Sequence, residues 1–138
     1  MKLKMILATA VLVIGAQGGL ADESDLILGR STYGALCSVC HGADGKGGGE
    51  IAALFKIPPT DLTKLSETAG GDFPFVRVYN TIARGMGKAG HGEAEMPVWG
   101  DFFIADELEN RGVHKGDAVA IAAGRIFTLA IYLESIQE

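Results

Sequence analysis

Basic runs, cysteine, proline and bilayer-length apolar runs are all scarce in this sequence, and each scarcity narrows what the chain can be. Its 138 residues hold 12 Lys+Arg against 17 Asp+Glu, a formal charge of −5, with no lysine or arginine cluster. The electrostatic footprint of a nucleic-acid-binding surface is therefore missing, and no nucleic-acid partner is expected. Two cysteines cannot build a disulfide-dense scaffold. No stretch alternates apolar and polar residues over more than a few positions, which removes half-buried strands from consideration. No internal repeat or second composition shift divides the chain after its opening residues, so a single domain over residues 22–138 is expected.

The opening residues have a composition of their own. Lys2 and Lys4 precede an almost wholly apolar run from Met5 to Ala16, and Gly19-Leu20-Ala21 follows with small residues at alternate positions. A positive start, an apolar stretch too short for the roughly 20 residues of a bilayer span, and a small-x-small site describe a secretory signal peptide. Cleavage is expected after Ala21, which leaves no permanent membrane anchor and delivers the chain to the periplasm of a bacterium. Loss of residues 1–21 removes two lysines and no acid, and takes the formal charge from −5 to −7.

Apolar residues, at 48%, and glycine, at 20 residues, are plentiful. Helical spacing accounts for much of the former. Asp25 to Cys40 reads as a helix, with Ser24 or Asp25 as N-cap and Leu28, Tyr33, Leu36 and Cys40 on one face. Phe73 to Ala83 repeats Phe75, Val78, Tyr79 and Ile82 at steps of three and four, with Gly85 in the C-cap place. The clearest stripe runs from Asp117 as N-cap through Ala122, Ile126, Leu129, Leu133 and Ile136. Between these lie a loop with five glycines in Gly42–Gly49 and the Pro58-Pro59 pair. The segment from Asp101 to Gly116 is expected to add a short helix, with Phe102, Phe103 and Ile104 packing inward. The expected class is all-α with long loops, and so small a helical core calls for a cofactor at its centre.

Chemistry concentrates in Cys37-Ser38-Val39-Cys40-His41, which holds both cysteines of the chain. Two thiols on one helical turn with a histidine immediately after suit covalent haem attachment, each thiol adding to one vinyl group and the imidazole meeting iron from the proximal side. A thioredoxin-type redox pair would require a parallel sheet that the pattern does not offer. A zinc site would need a second ligand pair, and His91 and His114 stand alone. A plain disulfide would leave the histidine and the glycine loop without a role.

With these residues in place, the chain resembles the class I c-type cytochromes over essentially its whole mature length. Cys37-Ser38-Val39-Cys40-His41-Gly42 is similar to the family's attachment signature, and Ala43-Asp44-Gly45-Lys46-Gly47 to the loop behind it. Gly29 and Tyr33 match the glycine and aromatic of the family's first helix, and Leu129 and Tyr132 the apolar and aromatic pair of its last. The resemblance implies three to five helices wrapped around one covalently bound haem c, with the first and last helices crossing near Gly29.

A second axial ligand is then sought among Met86, Met96, His91 and His114. Glu95-Met96-Pro97-Val98-Trp99-Gly100 is similar to the family's methionine loop, so the resemblance implies His41 and Met96 as the iron ligands. Thioether sulfur favours ferrous iron and raises the potential relative to a second histidine. Pro58 resembles the proline whose carbonyl accepts from the proximal histidine ring, with Pro59 as the alternative. Trp99 is a candidate donor to a haem propionate, as Arg77 and Arg84 are candidate cations for one.

The function implied is that of a non-enzymatic one-electron carrier, Fe(II)/Fe(III), between a donor and an acceptor redox protein that dock transiently and are steered by charge. The alternative is a peroxidase-like or gas-sensing haem protein with an open distal side, where His91, Glu93 and Glu95 would supply polar groups.

Overall fold

A computed structural model describes residues 23–85 and 98–138 of the chain. Its elements are α1 (Glu23–Leu36), α2 (Ser38–His41), α3 (Leu65–Ala69), α4 (Phe75–Arg84), α5 (Trp99–Asn110) and α6 (Lys115–Ser135), with single 3-10 turns at Ala52–Leu54 and Leu62–Lys64. The class is all-α, and no strand occurs among the described residues. The opening segment 1–21 and the stretch holding Met86, His91 and Met96 lie outside those residues.

Six helical segments occur among the described residues, and two of them are single turns. One arises because the helix expected over Asp25–Cys40 divides at Cys37, where φ is −108°. The turn tightens there: the amides of Cys40 and His41 both donate to the Cys37 carbonyl, at 3.2 and 2.9 Å. The other, α3, follows an Asp61 cap whose carboxylate accepts from the Thr63 amide at 2.9 Å.

α6 is the spine of the molecule. It buries Ala122, Ile126, Leu129 and Leu133 along the expected stripe, packing against α1, α4 and α5. It begins two residues before Asp117, which occupies its first turn, while His114 is the N-cap residue. By length and composition α6 could also cross a bilayer, yet half of its apolar window is buried inside the fold, as in the core helix of a globular domain.

α1 crosses α6 at Gly29. A Cβ placed there would run into the Thr128 carbonyl and come within 2.7 Å of the Tyr132 Cβ, so only glycine allows the two backbones this close. The buried line on α1 is Gly29 and Tyr33, and Leu28, expected on the inner face, is 57% exposed. A contact centred on Gly29 turns its sequence neighbour outward. Tyr33 meets Tyr132 ring to ring with centroids 5.3 Å apart.

α4 buries Val78 and Ile82 and ends at Gly85 in the left-handed conformation, as its periodicity predicts. α5 is the helix expected after Trp99, and it runs 12 residues. Phe103 is fully buried and Ile104 packs against the core, whereas Phe102 remains 45% exposed. The inward expectation therefore holds for two of the three.

Candidate functional site

The Cys37–His41 turn sits where the end of α1 passes into α2, held from two sides. From α1, the buried Tyr33 hydroxyl donates to the Gly42 carbonyl at 2.6 Å. From the glycine loop, the amides of Gly47, Gly49 and Ile51 donate to the carbonyls of His41, Cys40 and Val39 at 2.8, 3.0 and 3.1 Å. Carbonyls that the short helix cannot satisfy internally are thus taken up by the loop. Gly47, at φ 87°, brings its Cα directly against the Pro59 carbonyl, where any side chain would collide. The glycine content of 42–49 is therefore a fitted surface behind the motif.

Both thiols are free and half-buried. Burial, followed by the neighbouring Cys40, pushes the Cys37 thiol up to about 12, and burial also raises Cys40. A redox or nucleophilic cysteine pair needs a stabilised thiolate, so the electrostatics run against a thioredoxin-type role. Among the described residues no group of three or more His, Cys, Asp or Glu side chains is placed to hold a metal ion.

His41 is buried, at 8% exposure, and its Nδ1 lies 3.0 Å from the Thr60 carbonyl. A carbonyl can only accept, so this nitrogen carries the proton, and the neutral ring then has its lone pair on Nε2. The acceptor corrects the expectation for Pro58: that residue is exposed, the Pro59 carbonyl faces Gly47, and the chain presents Thr60 instead. The Asp61 cap turns the chain just after Thr60, with its carboxylate accepting from the Thr63 amide and hydroxyl at 2.9 and 2.7 Å. Orientation of the ring by a backbone carbonyl, the feature sought in Pro58, is present two residues later.

Trp99 opens α5, its ring 5.3 Å from that of Phe102 and 6.0 Å from that of Phe103. Its Nε1 is buried and has no hydrogen-bond partner among the described residues. An indole N–H rarely stays unpaired when buried, because the lost hydration costs about 1–3 kcal/mol. Two thiols on one turn and an imidazole oriented through Nδ1 are side chains that could hold a haem c. Arg77, Arg84 and His114 are exposed, and Met86, His91, Glu93, Glu95 and Met96 fall outside the described residues.

Two features near the site escaped sequence reasoning. Asp61 and Thr63 carry the signature of a capped turn, an Asp two residues before a Thr, and could have been found by it. The contacts of Gln137 with residues 62–66 join positions more than 70 apart and leave no local trace.

No family model matches the chain, and no curated protein or solved structure matches it either.

Proposed function

We propose that this protein is a monohaem c-type cytochrome of class I that carries single electrons between redox proteins in the bacterial periplasm after removal of residues 1–21. The observation that carries the reading is the Cys37-x-x-Cys40-His41 turn with His41 Nδ1 tied to the Thr60 carbonyl. Cys37 and Cys40 would hold the haem through thioether bonds, His41 and Met96 would be its iron ligands, and the Trp99 N–H would be a donor to a propionate. When bound, haem c supplies a reversible one-electron couple.

The chain's own part is orientation of the imidazole. The Thr60 carbonyl fixes the imidazole tautomer and makes it a better donor. The formal charge of −7 on residues 22–138 favours partners with a basic docking patch, whose association slows as salt rises.

Intact-mass analysis of the exported chain, produced in cells that carry out cytochrome c maturation, tests the attachment. The expected mass is that of residues 22–138 plus one haem that survives denaturation, with a single remaining thioether in Cys37→Ser or Cys40→Ser. A wild-type chain that loses all haem on denaturation overturns the reading.

A further inference from the structure

The residues that follow α6 fold back onto the segment bearing the proximal acceptor. The Gln137 side chain makes three hydrogen bonds, all to backbone. Its Nε2 donates to the Leu62 carbonyl at 2.8 Å and to the Leu133 carbonyl at 2.6 Å, and its Oε1 accepts from the Ser66 amide at 2.9 Å. The Glu138 amide adds a donation to the Thr63 carbonyl at 3.0 Å. On the opposite side, the Leu62 amide donates to the Gly45 carbonyl at 2.7 Å. Residues 62–66 are therefore fixed between the glycine loop and the end of α6. Thr60, whose carbonyl meets His41 Nδ1, lies two residues before Leu62, across the Asp61 turn.

We infer that Gln137 is a positioning residue for His41: it sets the Thr60–Thr63 segment on the spine helix and thereby holds the Thr60 carbonyl against the imidazole. An amide is the side chain this place requires. Two carbonyls need a donor and one amide needs an acceptor, and the primary amide offers both at one terminus. A carboxylate would face two carbonyls with no proton to give, and an apolar side chain would leave all three groups without Gln137 as partner. The nearby Lys46–Glu138–Lys64 ion pairs, at 2.6 and 3.5 Å, join half-exposed side chains and serve as the control, since pairs of this kind contribute little.

This inference rests on the reading of His41 as proximal ligand, and its test reports on His41 separately from haem attachment. The measurement is solvent exchange of the His41 Nδ1 proton by nitrogen-15 NMR on the full chain as exported, in wild type, Gln137→Met, Gln137→Glu and, as control, Lys46→Ala. Exchange about tenfold faster in both Gln137 variants, and unchanged in Lys46→Ala, is expected from loss of the restraint on Thr60. In the haem-loaded protein the midpoint potential should shift in the same two variants and not in the control. If Gln137→Met does not fold, Gln137→Glu, which keeps the acceptor for Ser66, decides. Exchange at the wild-type rate in a folded Gln137 variant overturns the positioning role even where haem is attached. A wild-type chain without haem but with the same exchange pattern overturns the carrier reading and leaves the positioning role standing.

Discussion

Gly29 and Thr128 meet backbone to backbone where α1 crosses α6, with no room between them for a methyl group. The crossing places Tyr33, one turn further along α1, against Tyr132, and so sets where Cys37 emerges. Gly29→Ala must push the helices apart. We expect a loss of about 1–3 kcal/mol, as for other overpacked sites, read as a lower urea midpoint with little change in slope. A variant as stable as wild type would mean that the contact is looser than described.

Tyr33 links this crossing to the motif through its bond to the Gly42 carbonyl. Tyr33→Phe removes the shorter of two donors to that carbonyl, leaving the Gly45 amide at 3.2 Å, and should cost about 1 kcal/mol at neutral pH. The same residue should shape the alkaline limb. Burial first, then the charges on Cys37 while its thiol is free, on Tyr132 and on Asp44, raise the Tyr33 hydroxyl above its ordinary 10.0. The folded chain keeps the proton where the unfolded chain releases it, so this contribution is complete below the unfolded value and is lost as pH rises beyond it. Urea midpoints measured from about pH 8 to about pH 11 should fall in wild type and fall less steeply in Tyr33→Phe.

Arg125 of α6 reaches two carboxylates of α5, with Nη1 2.7 Å from Asp106 and 3.2 Å from Glu107, and its guanidinium lies 4.2 Å from the centre of the Phe103 ring. Glu107 is 1% exposed. Arg125→Met removes a cation from a buried carboxylate and should cost about 2–3 kcal/mol. That is below the value for a wholly buried pair, because Arg111 remains 3.4 Å from Glu107 and the Arg125 side chain is 24% exposed. Glu107→Leu combined with Arg125→Met should recover most of the loss. A double variant no better than Arg125→Met in chemical denaturation would contradict the pairing.

The distal ligand separates two methionines. Met96→Ala should retain covalent haem, lower the midpoint potential and admit carbon monoxide to the ferrous protein, while Met86→Ala should do none of the last two. Redox titration and visible spectra of the two variants decide, and the reversed pattern would move the ligand to Met86.

Periodic features of this chain were legible because a helix repeats them. The α6 stripe and the Val78–Ile82 face of α4 followed from spacing alone, and Gly85 marked its helix end. The Gly29 crossing followed from the family resemblance. Less legible was anything set by a contact rather than a repeat. Leu28 has the composition of an inner residue and faces out because the crossing is centred on Gly29. The acceptor for His41 shifted from Pro58 to Thr60 because the Asp61 turn, not the prolines, decides which carbonyl is presented. Cys37, Cys40 and His41 were fixed by adjacency and were the easiest to find. Trp99 stood out in the sequence beside the methionine loop, while the burial of its N–H is a matter of packing that the sequence does not print.

The visible spectrum of the exported, dithionite-reduced protein, recorded before and after carbon monoxide, tests the central claim most directly. The carrier account predicts a low-spin c-type spectrum that carbon monoxide leaves unchanged, since on that account His41 and Met96 would fill both axial positions. A strong shift on adding the gas would contradict it and point to an open distal side, and the absence of any haem band would contradict haem attachment itself.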